Sequence, residues 1–416
     1  MFFKQFYDNH LSQASYLVGC QRTGEAIVID PVRDLTKYME VADSEGFTIT
    51  QAAETHIHAD FASGIRDVAE QLNANVYVSG EGDDQLSYKN MPEHTNFVKN
   101  QDIIQVGNIK LEVLHTPGHT PESISFLLTD EGGGSSVPMG LFSGDFIFVG
   151  DIGRPDLLEK SVQMEGTTEI GAKQMYQSIE GVKNLPDYIQ IWPGHGAGSP
   201  CGKALGAIPM STLGYEKINN WAFNVTDESK FVETLTSNQP APPHHFAQMK
   251  KINQFGMNMY QPYDVFPSLD NARIAFDLRS KEAFHGGHTE GTINIPYNQN
   301  FINQIGWYLD YENSIDLIGD KSTVEQAAHT LQLIGFDNVA GYRLPKSEIL
   351  TQSIHSVDMT GKEEYILDVR NEEEWNNGHL DQAVNIPHGK LLNENIPFNK
   401  EDKIYVHCQS GVRSSI

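Results

Sequence analysis

The chain has 416 residues, 39% of them hydrophobic, with 36 Gly and 19 Pro. At roughly 150 residues per domain this gives two or three globular domains and excludes a disordered or fibrous chain. The net charge of -26 excludes duplex nucleic acid and anionic membrane surfaces as partners. No apolar run approaches a membrane span, and residues 1–11, which carry Lys4, Asp8 and His10, lack the apolar core of a secretory signal. The 3 cysteines, Cys20, Cys201 and Cys408, are too few for a disulfide framework and predict a reducing, cytoplasmic compartment.

Residues 1 to about 235 alternate short apolar strands with helical stretches. Strands are predicted at Glu25–Asp30, Asn75–Ser79, Ile109–Leu114 and Tyr188–Trp192. Four polar clusters each follow an apolar run: Thr55-His-Ile-His-Ala-Asp60, Thr116-Pro-Gly-His119-Thr, Ser143-Gly-Asp145 and Trp192-Pro-Gly-His195. Loops at strand ends are where α/β proteins build their sites. In an extended stretch His56, His58 and Asp60 project to one side. Imidazole and carboxylate suit a borderline divalent metal, so the clusters predict a metal site. Spacing alone leaves the ligands open among His56, His58, Asp60, His119, Asp145 and His195. Cys201, six residues after His195, is read as lining the pocket, and Cys20 as packing.

Residues 236–263, with Gln239-Pro-Ala-Pro-Pro-His-His, read as a linker. Beyond it lies a repeat. Asp277-Leu-Arg and Asp368-Val-Arg, Gly287-His288 and Gly378-His379, and Asn294-Ile-Pro and Asn385-Ile-Pro all stand 91 residues apart. Two homologous modules are predicted at 264–350 and 355–416. In the second, an apolar strand feeds Cys408-Gln-Ser-Gly-Val-Arg413. Here Gln409, Ser410, Gly411 and Val412 can turn successive amides toward one sulfur, and Arg413 adds positive charge, so Cys408 is favoured as a thiolate or persulfide. The first module has no cysteine; Asp320 or a neighbour stands at the corresponding place.

The series THxHxD, TPGHT, SGD and PGHG resembles the metallo-β-lactamase superfamily, which implies an αββα sandwich over about the first 230 residues. Phe61 stands where dinuclear thioester hydrolases of the glyoxalase II type have a further histidine, which favours a single metal. The motifs look most like the persulfide dioxygenase branch. That resemblance implies one Fe(II) per chain on His56, His119 and Asp145, with His58, Asp60 and His195 around it. It also implies that Arg154, in Gly-Arg-Pro-Asp156, anchors an anionic group of the substrate, the alternative being an ion pair with Asp151 or Asp156.

The repeat resembles rhodanese, with a middle module that has lost its cysteine. The sequence runs three residues past Arg413, so the helix expected after a rhodanese loop is not in it, and the last module is expected to be incomplete. Together the resemblances imply oxidation of a low-molecular-weight thiol persulfide by O₂ to sulfite. Cys408 would then pass sulfane sulfur to or from thiosulfate, in a homo-oligomer that detoxifies sulfide. The alternatives are a zinc thioester hydrolase and a non-catalytic persulfide sensor or carrier.

Overall fold

Alternating apolar residues build two six-stranded sheets from the first half of the chain. The first sheet, in spatial order, is β1 (Phe2–Asp8), β2 (Gln13–Gly19), β3 (Glu25–Ile29), β4 (Thr48–Ala53), β5 (Asn75–Ser79) and β6 (Thr95–Val98). The second runs β12 (Ser211–Thr212), β11 (Gln190–Pro193), β10 (Gly140–Gly144), β9 (Ile124–Asp130), β8 (Ile109–His115) and β7 (Ile103–Val106). In β8 every second residue, Ile109, Leu111 and Val113, is buried, as the period of two requires. These side chains meet Tyr16, Val18, Ile27 and Ile29 of the first sheet and Phe126, Phe142 and Trp192 of the second in one core. Helix Thr167–Val182 places Met175 and Ile179 with Leu127, Leu141 and Ile191 of the second sheet in another core, and helices Thr36–Glu45 and Ile65–Leu72 flank the first sheet's strands. The αββα sandwich expected from the motifs is therefore present.

This computed structural model describes residues 1–416 except 84–85, 163–164, 204, 268–272, 346–352, 356, 359, 361–362, 393 and 400. Its two compact units are residues 1–261 with 332–335, and 262–331 with 336–416. The expected linker at 236–263 is corrected by this division. It holds the end of helix Glu228–Thr236 and all of helix His245–Phe255, and it belongs to the first unit as far as Gln261. The apolar residues Phe246, Met249 and Ile252, spaced by three, bury that helix. Among the described residues no helix is long and apolar enough to cross a membrane.

The second unit contains two parallel sheets. One has the order β14 (Thr292–Asn294), β13 (Ala275–Asp277), β15 (Ile315–Ile318), β16 (Val339–Arg343); the other β18 (Ala383–Asn385), β17 (Ile366–Asp368), β19 (Tyr405–His407). The repeat extends to individual atoms. Arg279 grips Asp277 and donates to the Gly287 carbonyl at 3.0 Å; Arg370 grips Asp368 and donates to the Gly378 carbonyl at 2.9 Å. Asn294 and Asn385 each bridge the two carbonyls of their own clip. His288 stacks on Phe284 at 3.9 Å and His379 on Trp375 at 3.6 Å. Of the expected boundary between the modules at 350–355, residues 350–352 lie outside the described residues.

Candidate metal centre and sulfur loop

The four polar clusters sit where four strands end. β4 runs into Glu54–Asp60, β8 into Thr116–His119, β10 into Asp145 and β11 into Gly194–His195. Two glycines admit Asp145. Gly144 turns at φ +52, where a Cβ would strike Thr55 Oγ1 at 2.5 Å, and a Cβ on Gly153 would lie 1.8 Å from the Asp145 carbonyl oxygen.

Ligand atoms of His56, His119 and Asp145 lie within 4.8 Å of one another, all buried. Asp145 Oδ2 is 3.5 Å from His119 Nε2 and 3.9 Å from His56 Nε2. Both Nε2 atoms and both carboxylate oxygens are buried without a hydrogen-bond partner. Buried polar atoms are nearly always satisfied, so converging orphans of this donor type fit a divalent metal. Each ring is oriented from behind, as metal-ligating histidines are. His56 Nδ1 lies 3.0 Å from Thr55 Oγ1, and His119 Nδ1 2.8 Å from the Arg154 carbonyl. Burial pushes both imidazoles well below their usual pKa, with Lys250 and neighbouring histidines acting the same way. Both shifts favour the neutral ring, the form that coordinates a metal. Burial raises Asp145 to about 6 against the pull of His195.

The other predicted residues lie around this triad. His58 points its Nε2 at Asp30, 3.3 Å away, and at Glu54, 3.8 Å away. Burial would lower its pKa, but Asp30, Glu54 and Asp60 outweigh burial and raise it to about 9. Asp30 is held at φ +51, a strained conformation for a non-glycine, while its carboxylate accepts from Thr55 N and Oγ1 at 2.8 and 3.0 Å. Phe61 is fully buried with its ring 4.4 Å from that of His58. His195 Nε2 lies 3.3 Å from both Asp60 and Asp145, and its Nδ1 is fixed 3.0 Å from the Ser12 carbonyl. Asp60, His195 and Cys201 form a second buried cluster within 4.8 Å.

One expectation changes. Arg154 has 0% exposure; it holds both oxygens of Asp156 at 2.7 and 2.6 Å and donates to the Pro200 and Pro240 carbonyls. The ion-pair alternative holds and the substrate-anchoring role does not, because no face of the guanidinium is open. Arg154 reaches the centre only through its carbonyl on His119. Cys201 packs among Ala59, Phe148, Leu157 and Phe246, and burial beside Asp60 and Asp145 pushes its thiol well above the usual range. The cleft of about 200 Å³ that opens onto His119 is lined by Gly118, Pro155, Leu158, Ile170 and Gln174, and Cys201 stands in the second cluster with Asp60 and His195.

Four residues at this site were not found from the sequence: Asp30, Glu54, Glu122 and Lys250. Glu122 accepts from the Ile57 amide at 3.0 Å, and buried Lys250 donates to the Ile57 carbonyl. Burial lowers the Lys250 pKa, opposed by Glu122, Asp145, Cys201 and Asp60. Asn253, on the same helix, donates to the carbonyls of His58 and Phe61 at 2.9 and 2.7 Å. The apolar spacing 246, 249, 252 was the available signal; the preceding proline run concealed it.

In the second unit Cys408 is half-buried, and its Sγ accepts from the Gly411 amide at 3.1 Å, with Gly411 at φ +80. Burial would raise the thiol pKa, but the Ser414 hydroxyl and the amides of Ser414, Ser410 and Gly411 together lower it. Gln409, Ser410 and Val412 are exposed around it. Arg413 is bonded to both oxygens of Glu374 at 2.6 and 2.7 Å, so its charge is largely matched by that carboxylate. In the middle module the register Asp277↔Ile318 and Asp368↔His407 makes Gly319 the counterpart of Cys408. There β15 passes into helix Lys321–Leu333 after Gly319 and Asp320 alone, and Asp320 caps it by accepting from Thr323 N at 3.1 Å.

Known proteins match the chain in two stretches. Residues 9–195 match the metallo-β-lactamase superfamily and residues 351–416 a rhodanese-like domain. A curated hydroxyacylglutathione hydrolase of Dictyostelium discoideum is 29% identical over 58% of this chain and 81% of its own length. The crystal structure of ETHE1 from Myxococcus xanthus is 27% identical, covers 60% of this chain and 100% of its own, and superposes with a TM-score of 0.46. A 2.1 Å crystal structure of a metallo-β-lactamase from Staphylococcus aureus subsp. aureus COL is 73% identical. It covers 83% of this chain and 99% of its own, with a TM-score of 0.80. With that match added to the sandwich and its strand-end His/Asp cluster, the chain belongs to the metallo-β-lactamase superfamily and carries a C-terminal rhodanese domain.

Proposed function

We propose that the chain is a persulfide dioxygenase with one iron(II) on His56, His119 and Asp145, coupled to sulfur transfer at Cys408. The observation that carries this reading is the buried set of two histidines and one carboxylate whose free atoms converge. Such a set leaves positions open on iron, as O₂-activating centres need. Two further features support a single metal. Asp30 and Glu54 draw His58 aside, and Phe61 fills the place of a further ligand.

When bound, the iron supplies O₂ activation and a site for sulfur. The protein's own groups do the rest. Thr55 and the Arg154 carbonyl fix the two imidazoles, and the apolar wall of Leu158, Pro155 and Ile170 limits water in the cleft. Lys250 puts a buried positive charge near the centre, favouring an anionic persulfide. The balance is R–S–SH + O₂ + H₂O → R–SH + sulfite + two protons. Sulfite attack on the outer sulfur of a Cys408 persulfide breaks the S–S bond and gives thiosulfate and the Cys408 thiolate.

Anaerobically purified protein should contain one iron per chain and consume O₂ with the persulfides of glutathione, bacillithiol or coenzyme A. Asp60, His195 and Cys201 could hold a second ion, as a zinc thioester hydrolase would use. Two zincs per chain with thioester cleavage and no O₂ uptake would replace the proposal with that reading.

A further inference from the structure

We propose that Lys281 of the cysteine-free middle module, together with the Cys408 loop, forms a binding site for a small sulfur oxyanion, sulfite or thiosulfate. The proposal rests on the reading of Cys408 as a sulfur carrier and gives that site its acceptor specificity.

Gly411 is the residue whose amide holds the Cys408 sulfur. Its open face is not empty: Lys281 Nζ lies 3.6 Å from where a Cβ on Gly411 would stand. Lys281 begins helix Lys281–Gly286, whose Ser280 cap accepts from Ala283 N at 3.3 Å. The Lys281 ammonium has no side-chain hydrogen bond or salt bridge among the described residues, and Glu282 and His285 are the charged or titratable groups it acts on. Arg413, the cation inside the loop, is different, because both its terminal nitrogens donate to the one carboxylate of Glu374. Arg413 acts on Cys408 while paired to Glu374, and Lys281 adds a second positive charge beside the loop from the other module.

Contacts between the modules hold it there. Ile354 N donates to the carbonyl of His285, on the helix that carries Lys281, at 3.1 Å. Tyr308 Oη lies 3.0 Å from His388 Nδ1, and the Trp307 ring packs so closely on Gly389 that a Cβ there would be 2.1 Å from it.

The chemistry needs such a charge. A sulfite dianion must approach a persulfide anion on a chain of net charge -26. The sulfite lone pair attacks the outer sulfur, the S–S bond breaks, and its electron pair leaves on the Cys408 thiolate. Three negative charges are present before and after. An ammonium beside the loop offsets the repulsion on approach without taking part in bond making. The reverse reaction, from thiosulfate, uses the same site. The middle module, which cannot carry sulfur, thereby contributes binding.

The test is carried out on the full chain by mapping Cys408 alkylation with anionic iodoacetate and neutral iodoacetamide. Taking the ratio of the two rates cancels changes in thiolate fraction or exposure. Lys281→Gln should lower the iodoacetate/iodoacetamide ratio about fivefold to tenfold, Lys281→Glu more, and Lys281→Arg should retain it. The KM for thiosulfate in sulfur transfer should rise in the same order. A ratio unchanged between the parent and Lys281→Glu overturns the oxyanion site, even if Cys408 transfers sulfur. A ratio that falls as expected while no protein transfers sulfur upholds the site and overturns the carrier reading instead.

Discussion

The metal centre and the sulfur loop solve the same problem, holding a reactive group still, by opposite means. The centre gathers buried side chains from His56 to Lys250, and His56, His119, His195 and Lys250 are each bonded to a backbone carbonyl or a hydroxyl of the same unit. The loop uses consecutive residues from Cys408 to Ser414, backbone amides, and a half-exposed sulfur. One depends on the whole unit being folded, and the other on the local path of the chain. Substitutions should therefore affect one and spare the other.

The largest effect is expected from His119→Ala. Losing an outer partner of a ligand costs ten- to hundredfold in metal affinity, and losing the ligand itself should exceed that. Iron content and O₂ uptake should fall together while Cys408 alkylation is unaltered. A variant that keeps its iron and turns over normally would break the ligand assignment. Cys408→Ser is the converse. Serine cannot form a persulfide, so O₂ uptake should persist while sulfite accumulates in place of thiosulfate, which chromatography resolves. If uptake stops as well, the two sites are not independent.

Lys250→Met sharpens the comparison at intermediate size. Removing a buried cation should leave iron bound at least as tightly but raise the KM for anionic persulfide about tenfold, equivalent to about 1.4 kcal/mol. An unchanged KM would make Lys250 a purely structural donor to Ile57. The smallest effect is expected at Ser414→Ala. The thiolate of Cys408 is favoured by donated hydrogen bonds, so its alkylation should reach half-maximum at a lower pH than for an ordinary thiol. Removing the Ser414 hydroxyl should move that midpoint upward by up to about one pH unit, the weight of one hydrogen bond to a charged group. A midpoint that stays or falls would exclude the hydroxyl as a determinant.

The sequence made much of this legible for identifiable reasons. Strand-end motifs are local, so six candidate ligands and Cys408 could be read from a few adjacent residues, and the family resemblance alone chose His56, His119 and Asp145 among the six. The 91-residue offset disclosed the two modules because their clips repeat residue by residue. What escaped was long-range. Lys250 reaches Ile57 across 193 positions, and nothing in Met249-Lys-Lys251 distinguishes it from a solvated lysine. Arg154 belonged to a motif, but only its neighbours decide whether a guanidinium meets a substrate or closes on Asp156. Proline-rich composition suggested a connector at 236–263, and apolar packing of the next turns overrode it.

The cap on the middle module's helix also bears on reversibility. Between strand and helical turn that module has residues 319–320, where the last module has 408–412, and Asp320 places a carboxylate at the helix start. Gly319→Cys would supply a thiol but no cradle of amides, and would set it beside a negative charge that disfavours its ionisation. The silent state is therefore a matter of chain length as much as of residue type. Restoring a sulfur loop there would take inserted residues as well as a cysteine.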